Sequence, residues 1–467
     1  MTIRRWLPTS LLMVLALLLS ACGEDVTYRD AQAVIPPLQG AGNFLGYSSI
    51  ETKRTVCGNC HSGKQASWEQ TAHARAWSDG AKSPGWSAAC EGCHTVNARG
   101  NLSTEPTVGY LGAKNARYYD VQCESCHGPG LTHVSNPDAA NKPLAPIAVD
   151  TALTYGCGEC HSGAHTPFVE EWRSSNHSRI IESRNTNPSC NTCHDAKEVL
   201  KGWGVKSVFI EQESPGKYMA VTCVVCHDPH SAKNKGQLRF PMDVADVDEN
   251  LCMRCHHKRG VPDPTSTRGP HSPEGPLLLG EGGWFPPSMA TQVGQIRGAH
   301  GSDRNPKLCA TCHVSGYQVT DAAGKFTFAS TGHSFQAIPC VGANGLPDGR
   351  RDCTLQERSF RACVTCHLTE TSARSALTAA EARLDRLGEE VIALALKAPA
   401  SAFNTTDNKT TTAEGAKFNG ELALKAGSAV HNPFLVEALV LASIKQLEID
   451  YGIKASGAVS LTPQIKP

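Results

Sequence analysis

One pentapeptide pattern, Cys-x-x-Cys-His, occurs nine times along this chain of 467 residues. With two cysteines per copy, the nine copies account for 18 of the 21 cysteines. The cysteines are Cys57, Cys60, Cys90, Cys93, Cys123, Cys126, Cys157, Cys160, Cys190, Cys193, Cys223, Cys226, Cys252, Cys255, Cys309, Cys312, Cys363 and Cys366. The histidines that follow them are His61, His94, His127, His161, His194, His227, His256, His313 and His367. The fold must therefore be organised around whatever these nine units bind.

The pattern is typical of covalent haem c attachment, in which two thiols bond to the porphyrin and the histidine ligates the iron. Zinc is the main alternative, but a zinc site needs two such pairs or further ligands, and it requires no adjacent histidine. A dithiol redox pair does not require that histidine either. The sequence therefore predicts nine covalent haem c groups, each with its motif histidine as the proximal ligand.

The second axial ligands are predicted from the remaining histidines. Nine of the 19 histidines belong to motifs, which leaves ten, whereas methionines beyond the N-terminus occur only at four positions: 219, 242, 253 and 289. The supply predicts bis-histidine coordination at most or all irons and low reduction potentials. The favoured distal candidates are His73, His133, His177, His230, His271, His300, His333 and His431; His165 and His257 complete the ten, and either can be a spare.

The motif spacing indicates an internal duplication. First cysteines at positions 57, 90 and 123 recur at 157, 190 and 223, a displacement of 100 residues. Trp68 lies five residues before His73, as Trp172 does before His177. Self-similarity of this kind predicts a repeated structural unit. We therefore treat residues 51–150 and 151–250 as two copies of a three-haem unit, with His73 and His177 as equivalents, and His133 and His230 likewise.

Composition predicts a fold that is mostly irregular, with short α-helices organised around the haems, and the apolar spacing near the end of the chain predicts further helices at the C-terminus. Forty-two glycines and 28 prolines favour turns, and aromatic residues make up only 6%. The predicted regions are a signal peptide at 1–21, a lipidated tether at 22–50, a seven-haem region at 51–260, a two-haem region at 261–370 with an irregular start at 260–287, and a helical region at 371–467.

Two helices are predicted in that last region. The first carries Leu377, Leu384, Leu387, Val391 and Leu394 at helical spacing and ends before Pro399. A polar loop is expected over residues 401–415. The second helix is predicted to begin with Asn432 as cap and Pro433 in its first turn, to end near Gly452, and to use Leu435, Leu439, Ala442 and Leu447 for packing.

The N-terminus predicts export. Arg4 and Arg5 precede an apolar run at 11–19, which is too short for a comfortable membrane span. Residues 19–22, Leu-Ser-Ala-Cys, resemble a bacterial lipobox, so Cys22 is the predicted lipidation site; the alternative is ordinary cleavage, which leaves Cys22 as a free thiol. We expect an exported lipoprotein of the outer membrane, on its periplasmic or cell-surface face. Cys340 and Cys353 are predicted to form a disulfide, the alternative being two buried thiols.

Longer motif segments resemble those of multihaem c-type cytochromes. They are Cys-Glu-Ser-Cys-His-Gly-Pro-Gly at 123–130 and Val-Thr-Cys-Val-Val-Cys-His-Asp-Pro-His at 221–230, with Trp-x4-His beside them. That class includes periplasmic and outer-surface electron carriers of anaerobic, metal-respiring bacteria. Residues 430–433 are similar to the C-terminal helical part of the hydroxylamine-oxidoreductase and nitrite-reductase branch. The resemblance implies closely stacked porphyrins, in alternating parallel and T-shaped pairs, surrounded mostly by loops.

These observations predict electron transfer along a row of haems in the cell envelope. Expected partners are other redox proteins, such as a quinol-side donor, a terminal acceptor, an outer cytochrome or a porin, and the membrane through the lipid anchor. Equal numbers of basic and acidic residues, 44 each, argue against nucleic acid as a partner. One alternative is a reductase or oxidase of a small nitrogen or sulfur compound with one open haem site. Another is end-to-end stacking into a conducting filament.

Overall fold

The computed structural model describes residues 42–143, 145, 156–163, 166–205 and 218–465. The predicted signal peptide, the lipidation site Cys22 and the spare candidate His165 lie outside these residues. In the part of the chain that the structure describes, no helix combines the length and the apolar character that a membrane span requires.

Short helices joined by long irregular segments make up the described residues before 370, as the sequence predicts. The α-helices are α1 (Ser62–Trp68), α2 (Ala76–Gly80), α3 (Ala88–His94), α4 (Tyr110–Ala113), α5 (Cys123–His127), α6 (Leu131–Ser135), α7 (Phe168–Ser174), α8 (Glu182–Asn185), α9 (Pro188–His194), α10 (Ala196–Gly202), α11 (Cys223–Cys226), α12 (Glu274–Leu279), α13 (Cys309–His313) and α14 (Val364–His367). Short 3-10 helices lie at Cys57–Asn59, His73–Arg75, Ala116–Tyr118, Ala139–Asn141, Gly156–Glu159, Lys235–Gln237, Pro287–Gln292, Ala299–Gly301, Leu355–Glu357 and Arg361–Cys363.

Many motifs form a single helical turn, as in α5, α11 and α13. Positions i, i+3 and i+4 of a helix lie on one face. In a Cys-x-x-Cys-His segment these positions are the two thiols and the imidazole. One turn of helix therefore turns all three groups of a motif toward the same space, and nothing longer is needed.

Two small antiparallel strand pairs accompany these helices. β1 (Tyr47–Ser49) pairs with β2 (Arg54–Thr55), and β3 (Tyr317–Thr320) pairs with β4 (Phe326–Ser330). The first pair corrects the predicted tether, which extends too far along the chain. Phe44 and Leu45, just before β1, are fully buried, because their side chains pack into the first haem-motif unit instead of facing solvent.

The same tertiary hydrogen bond occurs within each of the two predicted copies of the three-motif unit. The indole nitrogen of Trp68 donates to the carbonyl oxygen of Val121 at 2.9 Å, and that of Trp172 donates to Val221 at 2.8 Å. Each bond connects the helix after the first motif to the residue two before the third motif. The equivalence read from the spacing therefore extends to the packing within the units.

The C-terminal region contains three long helices with a common apolar core. They are α15 (Glu370–Ala395), α16 (Thr412–Ala423) and α18 (Pro433–Tyr451); the short α17 (Ser428–His431) precedes α18, and a 3-10 turn lies at Ala400–Ala402. Buried side chains of the core include Leu384, Leu387, Leu394, Leu422, Leu435, Leu439 and Leu447. The predicted first and last helices are confirmed.

The caps of α18 are those expected from the sequence. The side chain of Asn432 accepts a hydrogen bond from the amide of Leu435, Pro433 occupies the first turn, and Gly452 ends the helix with φ 69°. The predicted loop over 401–415 is too long, because α16 begins at Thr412. Thr411 and Glu414 form a reciprocal capping box that starts this helix three residues before the expected end of the loop.

Two further features lie between the last three haem motifs. The stretch predicted to be irregular at 260–287 contains α12, whose Leu277, Leu278 and Leu279 are buried. Cys340 and Cys353 form a disulfide bond with a Cα–Cα distance of 6.1 Å. The loop that this disulfide closes packs against the first half of the chain, since Arg351 donates to the carbonyl oxygen of Ser175.

Candidate haem sites

Residues of most motifs line one large cavity of about 3530 Å³. Pockets for a single small ligand or cofactor are commonly about 300–1,000 Å³, so this cavity has room for several large groups. Motif cysteines or histidines from the second to the ninth motif contribute to its walls. We number the motifs 1–9 in chain order and call each motif, with the histidine that faces it, a site.

Eight motif histidines face a second histidine across a gap of uniform width. The ring centroids are 6.0–6.5 Å apart in every case. The pairs are His61–His133 (site 1), His127–His230 (site 3), His161–His73 (site 4), His194–His271 (site 5), His227–His333 (site 6), His256–His177 (site 7), His313–His431 (site 8) and His367–His300 (site 9).

That gap fits one iron with two axial imidazoles. An imidazole nitrogen lies about 2 Å from a bound first-row metal, so two such bonds and two ring half-widths add up to about 6 Å. Closer rings would leave no room for a metal, and more distant rings would leave one bond unmade. The donor set and its spacing therefore suit haem, which would supply one-electron iron chemistry at each site when bound.

Burial keeps these imidazoles in the form that binds metal. It lowers the pKa of His161, His177, His230 and His431 to about 4 each. Neutral imidazole is the ligating form of histidine. At site 7 burial also disfavours protonation, but the nearby Glu274 carboxylate outweighs it and raises the pKa of His256.

Hydrogen bonds at Nδ1 turn the other ring nitrogen toward the cavity. In five of the paired histidines and in His94, Nδ1 lies 2.7–2.9 Å from a backbone carbonyl oxygen: His94 to Ala76, His127 to Pro143, His227 to Gly236, His300 to Val430, His313 to Phe335 and His431 to Gly427. Such a bond fixes both the tautomer and the ring orientation. Nε2 is left free for the iron.

Site 2 differs from the other eight. Among the described residues, the ring contact of His94 is with Trp86, edge-on at 5.1 Å, and no histidine ring faces it. His257 faces no motif histidine among the described residues either, and its Nδ1 lies 2.7 Å from the carbonyl oxygen of Met253. His165, the remaining candidate, lies outside the described residues.

Several of these facing histidine pairs connect different repeats. His73 of the first unit faces the first motif of the second unit, and His177 faces motif 7, the first one after that unit. These two histidines are therefore equivalent, as predicted. His133 and His230 are not, because His133 faces motif 1 of its own unit, whereas His230 faces motif 3 of the preceding unit. Local spacing carries no signal for this difference, since chain packing decides it.

Thiols of different motifs lie close together and connect the sites. In five pairs the two thiols are near enough for each to shift the pKa of the other: Cys57–Cys123, Cys93–Cys160, Cys157–Cys223, Cys193–Cys255 and Cys252–Cys309. Thiols of further motifs are near enough for their charges to interact, as in the pairs Cys126–Cys157, Cys226–Cys252 and Cys312–Cys363. Neighbouring sites therefore adjoin without an intervening layer of protein.

Comparison with known proteins agrees with this geometry. The family model for cytochrome c554 and c-prime matches residues 56–128, and that for a doubled CXXCH motif matches residues 217–260. The multihaem cytochrome MtrA of Shewanella baltica is 23% identical over 311 residues, which cover 62% of this chain and 79% of MtrA. Cytochrome c-554 of Nitrosomonas europaea is 28% identical over 172 residues, covering 28% of this chain and 70% of that protein.

A solved structure shares the overall fold. The undecahaem cytochrome from the S-layer of Carboxydothermus ferrireducens aligns with a TM-score of 0.51 and 18% identity, covering 90% of this chain and 71% of that one. The attachment motifs, the facing imidazoles and these relatives together define the class. The chain is a multihaem c-type cytochrome, an electron-transfer protein with covalently bound haem, and it is similar to MtrA.

Proposed function

We propose that this protein binds nine haems and conducts electrons along them between redox partners in the cell envelope. The observation that carries the proposal is the uniform gap of 6.0–6.5 Å between eight pairs of imidazoles. An iron with two histidine ligands has no free position and needs little rearrangement on reduction. Such centres exchange electrons without making or breaking bonds.

The thiol contacts support a main row with two side branches. Contacts and charge interactions connect site 1 to 3, 3 to 4, 4 to 6, 6 to 7, 7 to 8 and 8 to 9. Site 2 adjoins site 4 through Cys93 and Cys160, and site 5 adjoins site 7 through Cys193 and Cys255. On this basis electrons enter at one end of the row and leave at the other, while sites 2 and 5 store electrons or admit them from the side.

The envelope role rests on the N-terminal sequence. The lipobox-like residues 19–22 favour anchoring through Cys22 to the outer membrane, on its periplasmic or cell-surface side. Several acyl chains hold a protein stably on a bilayer, whereas one gives only marginal binding. The expected partners are a quinol-side donor at one end, and a terminal acceptor, an outer cytochrome or a porin at the other.

The haem count and the ligation can be tested together on natively produced protein. Intact mass should show nine covalent haems, and low-temperature spin-resonance spectra should show low-spin ferric iron at eight or nine sites. Mass spectrometry of the N-terminal peptide should find acyl chains on Cys22. A protein with six haems or fewer, or with mainly high-spin iron, would contradict the proposal.

A second candidate function is favoured by site 2. Within the described residues His94 faces no second histidine, so the iron here has an open position unless His165 supplies the ligand. An open iron at the end of a side branch could reduce a small nitrogen or sulfur compound with electrons from the main row. This is the reductase alternative that the sequence left open.

Carbon monoxide distinguishes the two functions. If site 2 is open, the reduced protein should bind one carbon monoxide per chain, and His165→Ala should change nothing. If the wild-type protein binds none and His165→Ala binds one, then His165 is the ligand and the protein is a carrier. His257→Ala is the matched control, because His257 faces no motif histidine within the part of the chain that the structure describes.

A further inference from the structure

The histidines proposed as ligands differ in the group that contacts Nδ1, the ring nitrogen that does not face the iron. In six of them that group is a neutral backbone carbonyl. His256 at site 7 contacts a carboxylate directly. His333 at site 6 is connected to a carboxylate through a hydroxyl group at 3.1 Å, and its Nδ1 also lies 3.3 Å from the carbonyl oxygen of Thr331. The acceptor matters because hydrogen bonding from a ligand to a carboxylate increases the basicity of that ligand and so tunes the metal.

At site 6 the connection passes through one hydroxyl group. Oε2 of Glu171 accepts a hydrogen bond from Oγ1 of Thr331 at 2.7 Å, and that hydroxyl lies 3.1 Å from Nδ1 of His333. Because the hydroxyl group donates its hydrogen bond to the carboxylate, its oxygen is free to accept a hydrogen bond from Nδ1–H of the imidazole. The carboxylate of Glu171, 162 residues before His333 in the sequence, is thus linked to the proposed distal ligand of site 6.

Glu171 also fixes the backbone that carries this ligand. Its carboxylate accepts the amide protons of Thr331 at 2.8 Å and His333 at 2.7 Å. The His333 ring is held from the side by Phe168, edge-on at 4.7 Å. Both Glu171 and Phe168 belong to α7, so a helix of the second repeat sets the position and the charge environment of a ligand that arrives from the two-haem region.

At site 7 the contact is direct. Nδ1 of His256 lies 3.4 Å from Oε2 of Glu274, the first residue of α12. The amide of Gly275 donates to the carbonyl oxygen of His256 at 2.8 Å, which holds the start of that helix against the motif. A third acidic neighbour is weaker, because Asp228 is 3.9 Å from Nδ1 of His230, beyond hydrogen-bonding distance.

We propose that Glu171 and Glu274 are positioning residues that give sites 6 and 7 the lowest reduction potentials of the main row. Negative charge delivered to an axial ligand stabilises ferric iron relative to ferrous iron, because the oxidised centre carries more positive charge. Sites 6 and 7 are neighbours at the middle of the row, since Cys226 and Cys252 adjoin. Electrons at the centre would then move downhill toward either end. The inference rests on the proposed ligation by His333 and His256.

The test compares redox titrations of the wild-type holoprotein with those of Glu274→Gln, Thr331→Val and Glu171→Gln. Each change should move the most negative part of the curve, about one haem of nine, to a more positive potential. A tenfold change in the ferric-to-ferrous ratio corresponds to about 59 mV for one electron, and Glu171→Gln should reach that size. Thr331→Val should shift less, because it removes the hydroxyl link but leaves Glu171 and its two backbone bonds in place.

Glu170→Gln is the matched control. Glu170 is the exposed neighbour of Glu171 on α7 and bonds to the amide of Gly163, not to the His333 segment. Its titration curve should superimpose on that of the wild type. Curves for Glu274→Gln and Thr331→Val that also superimpose on the wild type, with haem mass and low-spin signals intact, would overturn the tuning role. Wild-type protein that lacks those low-spin signals would overturn the proposed function itself.

Discussion

The haem-bearing region and the C-terminal helices of this protein achieve order by different means. In the C-terminal region, α15, α16 and α18 bury a continuous set of leucines, alanines and valines. Most buried apolar residues before 370 form small, separate clusters, such as Phe44 with Val96, Val108, Tyr110 and Tyr118, or Val199 and Leu200 with Val224 and Val225; Leu277 and Met289 instead join the core of the C-terminal helices. The space between those clusters is the haem cavity. One region therefore has a core made of side chains, and the other requires porphyrins to complete its core.

Removing the haems should produce the largest effect, and the two regions should respond to it differently. In protein made without haem attachment, we expect residues 42–367 to lose protection from hydrogen exchange, because their cavity of about 3530 Å³ would be left unfilled. Residues 370–465 should stay protected, since their core contains no haem. Exchange followed by mass spectrometry measures both regions in one sample. Equal protection of the haem-free and haem-loaded proteins before residue 368 would break the comparison.

A cavity in the helical core should give the second largest effect. It should destabilise the C-terminal region and leave the haem-bearing region unchanged. Leu435 is fully buried between the long helices, so Leu435→Ala should destabilise the bundle by about 2–5 kcal/mol. Hydrogen exchange of residues 370–465 measures this change, and the haem absorption spectrum should stay unchanged apart from site 8, whose ligand His431 lies nearby in α17.

Leu396→Ala is the matched control for that prediction. Leu396 directly follows α15 and is 60% exposed. Its truncation should therefore change the free energy of unfolding of the bundle, measured by hydrogen exchange, by less than about 0.5 kcal/mol. If both variants were equally destabilised, the buried leucine core would not be what stabilises this region.

The smallest effect concerns His431, whose proposed ligation of site 8 would join the two regions. His431 belongs to the C-terminal helices but faces His313 of site 8, with ring planes within 6° and centroids 6.2 Å apart. His431→Ala should convert about one haem of nine from low-spin to high-spin iron and leave the helix content unchanged. Spin-resonance spectra and circular dichroism measure the two properties. A variant with an unchanged low-spin signal would show that the bundle supplies no ligand.

The local elements of the C-terminal region were predictable because each has a local cause. The leucine spacing from 377 to 394 follows one face of a helix, and Asn432, Pro433 and Gly452 are cap residues that act within one turn. The start of α16 was missed because the capping box at Thr411 and Glu414 lies in a segment whose composition resembles a loop. The helix Glu274–Leu279 was missed because its glycine and proline neighbours gave the stronger signal.

By itself, the sequence determined the chemistry of the protein: covalent haem, motif histidines as ligands, and a surplus of histidines that permits a second ligand at nearly every iron. Attachment is encoded within five adjacent residues, so it can be read without a fold. Only the tertiary structure decided which distal histidine faces which motif, and that Glu171 reaches His333 across 162 residues. Those pairings depend on how distant segments pack around a shared cavity, and chain spacing carries no record of that packing.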